Sequence, residues 1–329
     1  MRQSIAPSTQ AVYGSAVNVF IKYCLLEVPN YANAHLGLPP ISEDILINFA
    51  THCHTVLHVK HSTIKLYLSG IRFHYLVHST TQLEFANMQR LHILLRGIKR
   101  SNITESKPRH PITGSILKAL CEHLDKGLFG HFTDVMLKTV YITAFFGFLR
   151  CGEFTFSDQF NPQVNLCVAD LKLNGNPSTL HLKQSKTDPF RKGVDIQLFC
   201  NGSTICPQCQ LKEYMAIRSE MFPITCGTDP LFAIQDGSPL SRNKFLDLLR
   251  LTFQAANIPY QHYSGHSFRI GAATSASATS LIEDHMIKTL GRWSSDSYCR
   301  YIRTPISAIH KAQMQLASTC EEQVNDMQQ

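Results

Sequence analysis

The sequence holds a single tryptophan among 329 residues, and only 17% of its residues are charged. No apolar run approaches the ~18 residues that a membrane-spanning helix needs, so no membrane association is expected. The segment after Met1 lacks the basic start and continuous apolar stretch of a secretory leader, which points to an intracellular protein. Neither a phosphate-cradling glycine loop nor a carboxylate cluster suited to magnesium is visible. The expectation is therefore no cofactor, neither nucleotide nor metal. The serines and histidines form no nucleophile-elbow pattern, which argues against a serine hydrolase. There is no internal repeat and no low-complexity segment.

Cysteine is not scarce, but its eleven copies are odd in number and scattered, as reduced thiols of an intracellular protein would be. Cys206-Pro207-Gln208-Cys209 has the spacing of a zinc or redox site. No second pair follows at ligand spacing, and a proline there marks the first turn of a helix more simply, so no metal site is assigned. The sequons at Asn102 and Asn201 read as chance matches in the same compartment.

What is present describes a globular chain long enough for two domains: 44% hydrophobic residues with a mean hydropathy of −0.08. The net charge of +7 is unevenly spread. Residues 1–110 carry eleven lysines and arginines against five acids, whereas the remainder carries twenty against nineteen. A basic first third on a nearly neutral body is the footprint of a polyanion partner, with nucleic acid the first candidate. Lys60, Lys65, Arg72 and Lys99 are the residues expected to face it.

Helical periodicity predicts helices over 8–26, from Ser42, over 62–77 and over 83–99, with no convincing strand alternation among them. A polar, proline-punctuated stretch from Ser101 to Thr113 reads as a linker, which divides the chain into a helical domain at 1–104 and a second at 105–329. In the second domain helices are predicted over 112–126 and 132–149, then short alternating runs over 163–173, 179–183 and 194–199 broken by turn residues. Helices resume at 207–221, 241–256, 266–280, 284–290 and 293–302. The fold class is mainly α with a small antiparallel sheet: an all-α domain followed by an α+β domain.

Several polar residues of the second domain sit among apolar or small neighbours. Arg150 closes the run Ala144-Phe145-Phe146-Gly147-Phe148-Leu149, a costly place for a guanidinium unless an anion meets it. His266 and Arg269 lie three apart and share a helix face. Lys186 falls in Gln184-Ser185-Lys186-Thr187, between two predicted strands, and Trp293 and Tyr301 follow Gly291-Arg292. Taken singly these are ordinary residues: a helix-end arginine, a turn lysine, a surface pair, a core tryptophan and a packed tyrosine.

Taken in order, Arg150, Lys186, His266 with Arg269, Trp293 and Tyr301 resemble the catalytic signature of the tyrosine recombinase, or phage integrase, family. Leu149-Arg150-Cys151-Gly152-Glu153 resembles the family's first box, with Glu153 as its acidic companion. The segment around Lys186 resembles the hairpin lysine of lambda-type integrases, and Tyr301-Ile302-Arg303 resembles the tyrosine region of Cre. The overall flavour is similar to the recombinases of Crypton and DIRS-type mobile elements, which implies a nuclear site of action. The interval from Trp293 to Tyr301 is one residue shorter than in bacterial and phage members, and Tyr298 stays open as the alternative nucleophile.

The resemblance implies a core-binding domain ahead of an α+β catalytic domain, and metal-free DNA strand cleavage and rejoining through a 3′-phosphotyrosine. Arg150 and Arg269 would hold the non-bridging phosphate oxygens. His266 would accept the phenol's proton or bind the phosphate, and Lys186 would protonate the departing 5′ oxygen. Trp293 would donate its indole N–H to a phosphate oxygen. The implied partners are double-stranded DNA and further copies of the chain, as a tetramer on paired sites built through residues 305–318. A DNA-binding relative without activity and a nicking-closing enzyme of the type IB topoisomerase kind remain as alternative functions.

Overall fold

The computed structural model describes residues 4–28, 31, 41–78, 87–101, 109–185, 188, 190, 192–279, 281–300, 302, 309–310 and 313–314. The chain divides into two compact units, Met1–Ser106 and Lys107–Gln329. Among the described residues no helix is long and apolar enough to cross a membrane.

The first unit consists of helices α1 (Pro7–Glu27), α2 (Glu43–Thr55), α3 (His61–His78) and α4 (Gln89–Ser101). Pro7 starts α1, where its missing N–H costs nothing. The stripe Ala16, Phe20, Tyr23, Cys24 then turns inward. Gly70 lets α3 cross α1 closely, since a Cβ there would lie 2.9 Å from that of Ala16. Ser42 caps α2 by accepting from the Ile45 N–H at 3.2 Å. The first-turn acids of α2 also hold the start of α4: Glu43 accepts from the Leu91 N–H at 3.1 Å, and Asp44 pairs with Arg90 at 2.8 Å. The core between these helices is aromatic and aliphatic, with Phe49 edge-on to Phe20 and Tyr23. Sequence periodicity places the start of α4 too early. The helix begins at Gln89, and residues 81–86 lie outside those described.

The second unit is built around α6 (His131–Phe146), which is buried on nearly all sides as its continuous apolar sequence requires. Around it lie α5 (Gly114–Leu124), α7 (Cys151–Phe154), α8 (Pro207–Met221), α9 (Arg242–Ala255), α10 (Ser267–Ser277) and α11 (Asp284–Leu290). Small residues let α10 sit deep in this core, and Gly271 faces the carbonyl of Ile112, with no room for a Cβ.

One antiparallel sheet, ordered β1 (Leu171–Lys172), β2 (Ser178–Leu182), β3 (Val194–Leu198), flanks the helices. Ser178, Leu180 and Leu182 point to the core from β2, opposite Leu198, Ile196 and Val194. The strand predicted over 163–173 shrinks to its last residues. Asn161 turns the chain by accepting from Gln163 N at 2.9 Å, and Asp170 accepts from Cys167 N at 2.7 Å, so local side-chain bonds replace a ladder. The helix predicted over 293–302 is instead a 3-10 segment at Asp296–Arg300. The helix predicted to reach residue 149 stops at Phe146, for a reason that shapes the site.

Candidate active site

Helix α6 ends at Gly147, whose N–H still reaches Thr143 at 2.9 Å. Phe148 then takes φ of +48°, a left-handed conformation that costs an ordinary residue roughly 1–2 kcal/mol. The reversal aims the carbonyls of Gly147 and Phe148 at two arginines. Arg269, from α10, donates to Phe148 O and Gly291 O. Arg292 donates to Gly147 O at 2.8 Å and Phe148 O at 3.3 Å. Arg292 is itself left-handed, at φ +54°, so strained backbone is concentrated on both sides of these contacts.

Past the reversal, Arg150 sits at the N-cap of α7 and meets Glu153 at 2.9 Å. The other oxygen of Glu153 accepts from Arg150 N at 2.8 Å and from Arg292 at 2.7 Å. Ser185 accepts from Arg150 at 3.0 Å and donates to Glu153 at 3.2 Å, which ties the β2–β3 connection to the same carboxylate. Burial pulls the Arg292 guanidinium below its ordinary range, with the Glu153 carboxylate opposing that effect. The Arg292 Nε is buried with no acceptor among the described residues. Two guanidiniums therefore share one carboxylate, and a third, Arg269, donates to the carbonyls of Phe148 and Gly291 beside them. The surplus of positive charge suits a phosphate.

The structure brings Arg150, Arg269 and Trp293 to this one loop. Trp293 is buried, lies 4.4 Å beneath the Arg269 guanidinium, and packs edge-on to Phe148. His266 stands half-buried one helical turn before Arg269. It is held there because Gly265 abuts Cys151, the residue after Arg150, so closely that a Cβ would meet its sulfur at 2.5 Å. Lys186 and Tyr301 lie outside the described residues. Tyr298 is 7% exposed, its ring 6.0 Å from that of Trp293, and burial raises its phenol pKa. Ile302 packs against the same core.

Sequence reasoning missed Arg292 and Ser185. Arg292 had the signal that singled out Arg150, a guanidinium among small and apolar neighbours. Ser185 had none beyond adjacency to Lys186.

On the first unit, Lys60, Lys65, Arg72 and Lys99 are all exposed. Lys65 and Arg72 are two turns apart on one face of α3. His61, also missed, lies among them. Burial first, then the charges of Lys65 and Lys99, hold its imidazole below the ordinary value.

No protein-family model and no curated protein matches the sequence. Solved structures do. The chain is similar to XerH site-specific recombinase bound to palindromic difH substrate in a post-cleavage complex, at 18% identity and a TM-score of 0.64, over 93% of this chain and 78% of that one. It is similar to the Tn1549 transposon integrase in complex with transposon right-end DNA, at 11% identity and 0.59, over 92% and 99%. It is similar to a lambda integrase tetramer bound to a Holliday junction, at 14% and 0.54, over 91% and 72%. The chain has the tyrosine recombinase fold.

Proposed function

We propose that this protein is a tyrosine recombinase, which cleaves and rejoins DNA strands at specific sites through a 3′-phosphotyrosine intermediate. The observation that carries the reading is the convergence of Arg150, Arg269 and Trp293 on the Gly147–Arg150 turn, with the residue before Lys186 bonded into the same network. Its solved neighbours are recombinases and integrases, three of them described above in complex with DNA.

In the proposed reaction a scissile phosphate approaches the surplus positive charge beside Glu153. Arg150 and Arg269 stabilise the charge that develops on its oxygens, and Glu153 with Arg292 keeps them oriented. A phenol of pKa ~10 attacks phosphorus and displaces the 5′ oxygen, so its proton must be taken up as the bond forms. His266 takes that proton or binds the phosphate, and Lys186 returns one to the leaving oxygen. Tyr301 is the proposed nucleophile. Burial against Trp293 disfavours Tyr298, and the packing of Tyr298 and Ile302 anchors the chain on either side of position 301. The phosphotyrosine conserves the bond energy for rejoining.

A second reading, a DNA-binding protein without cleavage, draws on the complete burial of Arg269 among carbonyls. Incubating the full chain with nicked suicide duplexes selected from bound genomic fragments separates the two. A covalent adduct, with recombined junctions on paired sites, supports recombination. Adducts giving only relaxed circles indicate a nicking-closing enzyme, and binding with no adduct on any selected site indicates an inactive relative.

The proposal extends to a tetramer on paired sites, joined through residues 305–318. The described residues of that segment, among them Ile309 and Met314, are exposed. Ending the chain at Thr304 is expected to preserve single-site binding and abolish the slower complex, and an undiminished complex would refute the exchanged tail. Nuclear action as a mobile-element enzyme completes the reading, and imaging a tagged copy in eukaryotic cells checks the location.

A further inference from the structure

The Cys206–Cys209 pair, too short of ligands in the sequence to be assigned, gains a third thiol in the fold. Strand β3 ends at the buried Leu198, and Cys200 follows two residues later on the surface. The intervening loop is turned back by Asn201, whose side-chain oxygen accepts from Ser203 N at 3.1 Å and from its hydroxyl at 2.9 Å, with Gly202 at φ +67°. The chain thereby returns to Cys206 at the N-cap of α8, where the sulfur accepts from Cys209 N at 3.5 Å. The Cys200 sulfur then lies 3.7 Å from that of Cys206 and 3.8 Å from that of Cys209. All three sulfurs fall within 4.8 Å of one another.

These separations suit a metal rather than a disulfide. A disulfide would place two sulfurs about 2.05 Å apart and leave the third idle. Four sulfurs at about 2.3 Å from a tetrahedral zinc ion are about 3.8 Å apart along every edge. Two of the three separations here have that value. We propose that Cys200, Cys206 and Cys209 form a three-thiolate site for a zinc ion. The exposure of Cys200 and Cys209 leaves the fourth position to water or to a ligand from solution. The N–H of Cys209 on the Cys206 sulfur is the kind of outer hydrogen bond that stabilises a bound thiolate.

The consequence is structural. A metal here fastens the end of β3 to the start of α8, at the opposite end of β3 from the connection that contains Lys186. Fastening that end fixes the base of the hairpin that β2 and β3 form. The site stands independently of the recombinase reading, because it rests on residues outside the candidate active site.

The test uses the full chain purified in reductant and stripped of metal, with zinc alone as the probe and cobalt as its spectroscopic substitute. The expected results are one tightly bound zinc per chain, a thiolate-to-cobalt charge-transfer band, and a raised melting temperature on zinc addition. Serine at any one of Cys200, Cys206 or Cys209 should lower zinc affinity by more than ~100-fold, beyond what loss of an outer-shell partner causes. Cys206→Ser retains a good N-cap, so its loss of binding would not reflect misfolding. Cys226→Ser, an exposed cysteine outside the cluster, should bind as the parent does. Failure to bind zinc, unchanged affinity in Cys200→Ser, or isolation of the cluster only as a metal-free disulfide would each overturn the proposal.

Discussion

Arg292 donates to Glu153 at 2.7 Å with both side chains nearly enclosed, 11% and 6% exposed, and the same carboxylate holds Arg150 on its other oxygen. Among the described residues Glu153 is the only carboxylate that pairs with both of these guanidiniums, so removing its charge leaves two cations side by side.

Replacing Glu153 by Gln should therefore destabilise the second unit by about 3–5 kcal/mol, the range for breaking a buried pair and stranding its charge. Replacing Arg292 as well, by Met, should restore part of that loss, because the stranded charge goes with it. Trp293 is the only tryptophan, so its fluorescence during denaturation reports this unit without contribution from the first. A Glu153→Gln midpoint equal to the parent's would show that the pair contributes nothing.

The nucleophile assignment makes a separable prediction. Tyr301→Phe should bind DNA normally and form no covalent adduct on a suicide substrate. Tyr298→Phe should keep the adduct, since that ring serves to pack Trp293. An adduct that survives the first change and vanishes with the second would transfer the role to Tyr298.

Most helices were legible because their apolar stripes repeat at helical spacing over ten residues or more, as in α8, where the bounds agree to the residue. The 163–173 strand was not legible, since its alternation is overridden by the side-chain turns of Asn161 and Asp170. Arg150, Arg269 and Trp293 could be named in advance because they fall, with Lys186, His266 and Tyr301, in an order that resembles a known signature, although each is ordinary singly. That they meet at Phe148 could not, because a left-handed phenylalanine has no sequence signature. Cys200 escaped for a related reason: its link to Cys206 depends on the Asn201 turn.

Two glycines should respond oppositely to alanine. At Gly271 a Cβ would lie 1.7 Å from the Ile112 carbonyl oxygen, inside backbone that α10 packs against, so Gly271→Ala should cost at least 1–3 kcal/mol. Gly97 is inside α4 with nothing within 4 Å of a Cβ, so Gly97→Ala should stabilise the first unit by about 0.5–1 kcal/mol. Denaturation of each variant, followed by tryptophan fluorescence for the second unit and by helical signal for the first, checks both signs. A neutral Gly271→Ala would mean that α10 can move away from Ile112.

The last prediction joins charge to proton uptake on the first unit. If Lys60, Lys65, Arg72 and Lys99 contact phosphates, replacing all four by Gln should weaken binding at every DNA sequence and lessen the salt slope by about 3–4. His61 sits among them with its pKa lowered by burial and by Lys65 and Lys99. Its ordinary value in the unfolded chain is about 6.5. The sign for the free protein follows: His61 imposes no penalty on folding above about pH 6.5, and the fold loses stability as pH falls through the lower folded value. DNA reverses the electrostatics, because phosphates neutralise the two lysines and favour imidazolium. Binding should then take up a proton at His61, and affinity should rise as pH falls from 7.5 to 6. His61→Gln should remove most of that rise while leaving affinity at pH 8 near the parent's, where the ring is neutral in both states. Titrating binding at fixed salt across this range decides it, and a pH dependence unaltered by His61→Gln would place the DNA elsewhere than on this end of α3.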